Sequence, residues 1–479
     1  MSAESLPASI VNDVLGPVMT GPSSSHTAGP ARLGRLVFDL CGGVTKADIY
    51  YSKSGSYAAT LSGQASDRGF TAGLLGWDCT DARLPGSLEY AEQAGIQIRF
   101  HVVEESYDHP NRAVIVARGL NELTLRVETL SIGGGNVRIT AINDQSVCLD
   151  GCQVVYVDFG ETVLISSRPT GPGSRCVRPV VQASRNPGLV PPFVNAGQLR
   201  DRFPKVTLAE AALQYEMSIT DWEETKLLGY MENLLRVMEK AAREGVKITE
   251  SGHFRYLKPS ANILERNRAR LIDSGILEEG VIIATAIMEH DRNMGVIVAA
   301  PTAGSAGVLP AVLLPFLRKG DLAAGCLERA LLAAGLIGAF ISNQATFAAE
   351  EAGCQAENGA VSAMAAAALV DLMGGDARTS LQAAALALSN LLGLVCDPVG
   401  GSVEIPCISR NAVAAANAVV SANMVLGGFD PFIPFDEVVL AMKAIGETMS
   451  PALRCTARGG LAATPTARRV PVDSIGVSG

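Results

Sequence analysis

The sequence predicts an α+β N-terminal domain followed by an all-α C-terminal domain. Up to residue 166, short β-branched runs alternate with turn residues, which is the pattern of strands rather than of long helices. Residues 167–205 are rich in proline and glycine, a composition typical of a linker. From residue 206 to residue 479, alanine-rich apolar segments with helical spacing follow one another.

The N-terminal domain, residues 1–166, is expected to contain one helix near residues 30–40 and a series of strands. Each strand run has the length and the β-branched content of a half-buried strand. The predicted strands are 47–51, 96–103, 113–117, 123–127, 137–142 and 154–159. Strands that do not alternate regularly with helices indicate the α+β class.

The C-terminal domain, residues 206–479, begins with two predicted capping boxes, in which a hydroxyl and a carboxylate satisfy backbone N–H groups at a helix start. They are Thr207 with Glu210, and Thr220 with Glu223. The predicted helices are 223–244, 278–290, 322–345, 359–373, 379–393, 410–426 and 436–447. Their small side chains allow close approach, so we expect a compact helical bundle.

Composition excludes several classes of function. The net charge is −9 and no run of lysine and arginine is present, so nucleic acid is not an expected partner. The longest apolar run, 330–341, is shorter than the roughly 18 residues that cross a membrane. Without a recognisable signal peptide, the expected location is the cytoplasm, where the 10 cysteines stay reduced.

The most distinctive string is 21–30, Gly-Pro-Ser-Ser-Ser-His-Thr-Ala-Gly-Pro, which precedes the predicted N-terminal helix. Hydroxyls and backbone N–H groups at a helix start cap the helix and favour a bound carboxylate. An ordinary serine-rich cap with one exposed histidine, His26, explains the same string. Both interpretations stay open on the residues alone.

Two glycine-containing loops are further candidates for ligand contact. Residues 131–135 expose bare backbone, and residues 301–310 combine hydroxyls and glycines between two predicted helices. Neither has the lysine of a phosphate-binding loop, and no GxGxxG follows a strand. Plain turns explain both loops equally well.

Three cysteines stand out from the other seven because they lie beside turn-forming or acidic residues. These are Cys354, Cys396 and Cys407. Three thiolates can hold a four-iron cluster with one iron open to a substrate hydroxyl, whereas tetrahedral zinc lacks a fourth ligand here. The alternative is three core cysteines. The remaining seven are interpreted as packing: Cys41, Cys79, Cys148, Cys152, Cys176, Cys326 and Cys455.

Together these motifs resemble the iron-sulfur-dependent L-serine dehydratases, with their β and α portions fused in one chain. Cys354 and Cys396 are separated by 41 residues, and Cys396 and Cys407 by 10, which is the spacing of that family's cluster ligands. The other matching segments are 21–27, 301–310, 353–357, 393–401, 405–407, 410–412 and 458–466.

The resemblance implies a 4Fe-4S cluster on Cys354, Cys396 and Cys407, and elimination of water from a small amino acid, by default L-serine. It also implies an N-terminal domain like the allosteric substrate-binding domain of some phosphoglycerate dehydrogenases. His26 is then the expected base. The expected substrate-binding residues are Ser23, Ser24, Ser25, Thr27, Thr302, Gly304, Ser305 and Asn343. A homodimer is expected by analogy.

The chain departs from the family pattern at three places near the expected pocket. Gln64 stands where the family has a histidine, and an amide cannot accept the α proton. Segments 254–260 and 343–348 also differ, the latter with a bulky ring at Phe347. Two alternatives therefore stay open: a dehydratase of another β-hydroxy amino acid or hydroxy acid, and a non-catalytic amino-acid-binding or redox-sensing protein.

Overall fold

The computed structural model describes residues 6–183, 190–320 and 322–469, so the middle of the predicted linker, 184–189, lies outside the described residues. An N-terminal α/β region with a mixed sheet is followed by a mostly helical C-terminal part. The predicted fold class is confirmed. The predicted domain boundaries stay a prediction, and the predicted linker contains a short strand and a short helix.

The N-terminal region is built around a sheet in the order β3-β2-β4-β5-β6-β7. Only the β2–β3 pair is parallel in this sheet, and the other neighbours are antiparallel. A second small sheet has the order β10-β8-β9. The strands are β1 Val18–Thr20, β2 Lys46–Ser52, β3 Gln97–Val103, β4 Arg112–Arg118, β5 Thr124–Ser131, β6 Val137–Ile142, β7 Gln145–Leu149, β8 Val155–Phe159, β9 Val163–Ser166, β10 Arg175–Val177 and β11 Val296–Val298.

The helices carry most of the C-terminal part. In chain order they are α1 Gly29–Cys41, α2 Ser56–Thr60, α3 Ser66–Leu74, α4 Ser87–Gln93, α5 Ala196–Arg202, α6 Leu208–Ile219, α7 Glu224–Val246, α8 Ala261–Arg266, α9 Ile276–Arg292, α10 Val308–Lys319, α11 Cys326–Gln344, α12 Ala349–Ala352, α13 Ala360–Leu372, α14 Ala377–Ser389, α15 Cys407–Leu426 and α16 Phe435–Thr448. Every predicted helix and strand is found within a few residues. Several other elements were not predicted, and most of them are too brief to show a period. They are α2, α3, α4, α5, α8, α10, α12, β1, β7, β9, β10 and β11.

One predicted capping box is confirmed and the other is wrong. Thr207 accepts from the backbone of Glu210, whose carboxylate accepts from the Thr207 backbone, at the start of α6. Thr220 instead ends α6, because its backbone N–H and its hydroxyl both donate to the carbonyl of Glu216. Glu223 precedes α7 without a side-chain cap.

Residues 6–20 pack into the helical part rather than into the N-terminal sheet. Strand β1 pairs with β11, and the short helical segment 10–14 lies on α11. Gly335 and Gly338 of α11 make this contact possible, because a Cβ at these positions would lie 2.3 and 2.2 Å from Ile10 and Val14 side chains. The serine-rich string that follows β1 is thereby placed at the junction of the two parts.

Helix α11 is also long and apolar enough to span a membrane by length and composition. Of its most apolar window, 72% is buried inside the protein. It packs on α13 and α6, so its apolar surface is already covered by other helices. That burial is the behaviour of a core helix.

Two glycines of α7 give a matched test of this packing. A Cβ on Gly245 would lie 1.9 Å from the Ala286 carbonyl oxygen of α9, whereas Gly229 has no atom near that position. We expect Gly245→Ala to lower the free energy of unfolding by about 1–3 kcal/mol, because the helices must separate. Gly229→Ala is expected to raise it by about 0.5–1 kcal/mol through helix propensity. Chemical denaturation of both variants checks this, and equal effects would contradict the close packing.

Candidate active site

The serine-rich string forms a tight helical turn that runs directly into α1. The Ser23 hydroxyl accepts from the His26 backbone N–H at 3.1 Å, so it caps the turn, as predicted. The Thr27 hydroxyl donates to the Gln64 carbonyl at 2.7 Å and fixes the string against the turn between α2 and α3. Ser24 accepts from the Ala303 backbone N–H at 3.4 Å, which joins the string to the helical part.

Behind this turn lies a hydrogen-bonded group centred on His26, whose ring is fully buried. Its Nδ1 lies 2.7 Å from the Ser25 hydroxyl and its Nε2 lies 3.0 Å from the Ser56 hydroxyl. The Ser25 hydroxyl also donates to Glu350 at 2.7 Å, and that carboxylate accepts from the Asn111 amide at 3.0 Å. Burial lowers the pKa of His26, and the nearby Glu350 partly offsets this effect.

The 301–307 turn lies opposite the serine string. The Thr302 hydroxyl donates to the Glu357 carboxylate at 2.8 Å and lies 3.0 Å from the Ser305 hydroxyl. Asn411 of α15 fixes the turn, because it donates to the Gly304 carbonyl and accepts from the Gly307 N–H. Burial raises the pKa of Glu357 to about 7, although the bond from Thr302 opposes this.

The three predicted cysteines come together from separate segments. Cys354 follows α12, Cys396 lies in the loop after α14, and Cys407 begins α15. The Sγ atoms of Cys354 and Cys396 and a carboxylate oxygen of Glu357 lie within 4.8 Å of one another. Burial, followed by the charges of Cys354 and Glu357, raises the pKa of Cys407.

A fourth thiol, that of Cys455, lies beside them. Cys455 was predicted to be a packing residue, and its place in the wall of the pocket corrects that prediction. Its N–H donates to the Cys396 carbonyl at 3.0 Å, and the Cys396 N–H donates to Leu453 at 2.8 Å. Hydrogen bonds with Cys354 and Cys455, together with burial, raise the pKa of Cys396. Cys455 is 7% exposed and has a φ of 57°, an uncommon left-handed conformation for a residue with a side chain.

One pocket at the junction of the two parts joins these groups. Its wall consists of Pro22, Ser23, Ser25, Gln64, Gly304, Ala349, Glu350, Glu357, Cys396, Pro398, Val403, Cys407 and Cys455. Cys354 lies directly behind it, where its Sγ accepts from Arg410 at 3.6 Å. The second guanidinium nitrogen of Arg410 pairs with Asp397 at 2.9 Å. Hydroxyls, carboxylates and thiols therefore share one small space.

Among the predicted site residues, Ser23, Ser25 and Gly304 line this pocket, and Ser24, His26, Thr27, Thr302 and Ser305 support it from behind. Asn343 is the exception. Its amide bonds to Ala8, Val194 and Tyr215, where it fastens the N-terminal segment to α11. Phe347 likewise lies in the helical core and not in the pocket wall.

The divergent segments contact the site in different ways. Gln64 takes a place in the wall, and its amide reaches the Gly401 carbonyl at 3.4 Å and the Cys455 sulfur at 3.6 Å. The 254–257 segment lies one layer behind, where the Glu404 carboxylate accepts three of its backbone N–H groups. Glu404 also pairs with Arg292 at 3.0 Å. The segment therefore supports the loop that leads to Cys407.

A pocket that gathers hydroxyls, carboxylates and thiols from two parts of a chain has the arrangement of an enzyme active site. Residues 204–462, more than half of the chain, match the sequence model of the serine dehydratase alpha chain. The chain belongs to the serine dehydratase family.

Individual relatives cover either the helical part or nearly the whole chain. The probable L-serine dehydratase, alpha chain, of Bacillus subtilis (strain 168) is 40% identical over 267 residues, which cover 56% of this chain and 89% of that protein. The L-serine dehydratase of Streptomyces coelicolor is 30% identical over 477 residues, covering 92% of this chain and 96% of that protein. The L-serine dehydratase of Haemophilus influenzae is 28% identical over 462 residues, with 92% and 96% covered.

Proposed function

We propose that this enzyme eliminates water from L-serine. The α proton and the β-hydroxyl leave together as water and give 2-aminoacrylate, which water hydrolyses to pyruvate and ammonia without any net oxidation. One observation carries the proposal: three thiols, those of Cys396, Cys407 and Cys455, line the same pocket as Ser25 and Glu350, which bond to each other beside His26. The relatives that span nearly the whole chain bear the name L-serine dehydratase.

We propose further that Cys354, Cys396 and Cys407 hold a 4Fe-4S cluster. The donor set supports this, because Cys396 and Cys407 line one pocket, and the Sγ atoms of Cys354 and Cys396 lie within 4.8 Å of each other. A set rich in thiolates suits iron-sulfur clusters better than hard cations. When bound, a cluster with one iron lacking a protein ligand supplies a Lewis acid to the substrate hydroxyl.

The side chains around the thiols offer partners for both charged groups of an amino acid. The Ser23 hydroxyl and the Gly304 turn offer hydrogen bonds to the carboxylate. The Glu350 and Glu357 carboxylates line the same wall and attract the ammonium group. Asn343 takes no part in this arrangement, because it lies outside the pocket.

The α proton has one continuous route away from the substrate. The Ser25 hydroxyl lines the pocket and lies 2.7 Å from Nδ1 of His26, while Glu350 lies 3.4 Å from the same nitrogen. A carboxylate at this distance stabilises the imidazolium that forms when His26 takes a proton. We assign His26 as the base, acting through Ser25: as the Ser25 oxygen takes the α proton, its own hydrogen turns from Glu350 to Nδ1 of His26.

An activity measurement under anaerobic conditions tests the serine assignment. Reconstituted enzyme is expected to release equimolar pyruvate and ammonia from L-serine and none from D-serine, the stereochemical control. Absence of pyruvate from a protein that keeps its cluster absorbance would refute serine as substrate while leaving the lyase class intact.

A larger β-hydroxy amino acid is the second candidate, favoured by glutamine at position 64. However, the Gln64 side chain still occupies the pocket wall, where its amide bonds to Gly401 and Cys455. We therefore expect kcat/KM for serine to exceed that for threonine and for 3-hydroxyaspartate by at least about tenfold, a difference of roughly 1.4 kcal/mol. The reverse order in a substrate panel would favour the second candidate.

Replacing Gln64 with histidine distinguishes an enzyme whose base is His26 from a protein that has no base of its own. Because His26 already has a carboxylate partner, we expect the unmodified enzyme to be active. We expect Gln64→His to change kcat by less than about tenfold, which is below the usual contribution of a general base. Steady-state rates at matched iron content provide the measurement. Activity that appears only in Gln64→His would show that the chain lacks its own base.

A further inference from the structure

A second cavity lies between α1, the 77–80 loop and residues 179–182, and we call it the Arg32 cavity. Its volume is about 230 Å³. Its wall includes Arg32, Arg35, Trp77, Cys79 and Gln182, none of which lines the Ser25 pocket. The proposed reaction uses no group in it.

Arg32 is a buried cation without a counter-ion in the part of the chain that the structure describes. It is only 4% exposed, and no described carboxylate lies within 4.0 Å of its guanidinium. One Nη donates to the Gly135 carbonyl at 2.7 Å, and the group also contacts the Cys79 thiol. Its Nε is buried and meets no described acceptor. An uncompensated buried charge costs several kcal/mol, so the described residues leave the Arg32 guanidinium short of a partner.

The charges around the cavity do not supply that partner. Arg35 already pairs with Asp78 at 2.9 Å and lies 3.6 Å from Asp39. Asp39 in turn bonds to Arg178, which lies outside the cavity wall. The cavity wall therefore carries the guanidinium groups of Arg32 and Arg35 and the single carboxylate of Asp78. Because Asp78 pairs with Arg35, the positive charge of Arg32 is left unbalanced.

We propose that the Arg32 cavity binds a small oxyanion that presents a carboxylate or a phosphate group. Both groups match the planar fork of a guanidinium, which makes two parallel hydrogen bonds to them. The cavity of about 230 Å³ equals about eight water volumes at roughly 30 Å³ each, so the ligand has only a few heavy atoms. The Gln182 side chain in the same wall offers an uncharged polar contact.

Trp77 in the cavity wall provides a direct readout that does not depend on enzyme activity. The chain has only 2 tryptophans, so Trp222→Phe leaves Trp77 as the single indole fluorophore. Sodium pyruvate and sodium phosphate are titrated separately into this variant, with sodium chloride keeping the ionic strength constant. We expect a saturable change with at least one probe, and the probe that saturates identifies the oxyanion as carboxylate or phosphate.

Arg32→Gln in the Trp222→Phe background is expected to raise the half-saturation concentration at least about tenfold, the loss of roughly 1.4 kcal/mol of binding. Arg118→Gln, an exposed arginine of the same domain, is the matched control and is expected to leave it unchanged. Saturation by neither probe, or equal half-saturation in Arg32→Gln and its parent, would overturn the proposal. If circular dichroism shows that Arg32→Gln is unfolded, Arg32→Lys is measured instead. Lysine keeps the positive charge but lacks the planar guanidinium group, so an unchanged half-saturation concentration in this variant would also overturn the proposal.

Discussion

Replacing Cys354 with alanine is expected to remove the iron from the anaerobically purified enzyme and to abolish pyruvate formation from serine. The same result is expected for Cys396→Ala and Cys407→Ala. The reason is geometric, because Cys354 and Cys396 lie with Glu357 in one group of potential ligands and Cys407 lines the same pocket. Iron content per chain and the visible absorbance of the cluster are measured together with the rate.

Two other cysteines provide the controls for this experiment. Cys148 is exposed on β7, so Cys148→Ala is expected to keep both iron and activity. Cys455 is the sharper comparison, because it lies beside Cys396 and shares the pocket wall. We expect Cys455→Ala to retain the full iron content. Loss of iron in this variant to the same degree as in Cys354→Ala would indicate four protein ligands and no open iron.

Replacing Glu350 with glutamine is expected to lower kcat about 10²–10⁴-fold, the usual contribution of a general base, with little change in iron content. The amide preserves the size of the side chain but removes the negative charge 3.4 Å from His26 Nδ1. The pKa of His26 is already lowered by burial, and Glu350 is the group that opposes this. Without it, the imidazole holds a proton less well.

Glu351→Gln is the matched control for Glu350→Gln. The adjacent carboxylate is 43% exposed and lies 3.5 Å from His109, on the outside of the same short helix. We expect its kcat to stay within about twofold of the parent, since single surface changes have small effects. Equal rates for Glu350→Gln and the parent would contradict the assignment of Glu350 to the proton route.

Much of the site was predictable from local strings. Residues 21–30 are contiguous, and the Ser23 hydroxyl caps the helical turn that runs into α1. The cysteine spacing, read with the family resemblance, selected three of the thiols that line or back the pocket. Cys455 was missed because its backbone bonds to Cys396 across the chain, and no local spacing marks that contact.

Other groups were missed because their partners are distant in sequence. The Ser25–Glu350 and Asn111–Glu350 bonds join residues 325 and 239 positions apart, and no periodicity records such contacts. Phe347 was misplaced for a related reason, since the resemblance locates it near the pocket while the backbone turns its ring into the core. The helical spacing of apolar residues predicted the long helices of the C-terminal part well, because this pattern repeats along each segment.

The most direct test of the central claim is an iron and sulfide count on anaerobically purified enzyme, measured on the same sample that is assayed with L-serine. We expect about four iron and about four sulfide ions per chain, as a cubane cluster requires, together with pyruvate formation that falls in proportion as iron is removed. A protein that forms pyruvate at an undiminished rate without iron would contradict the account.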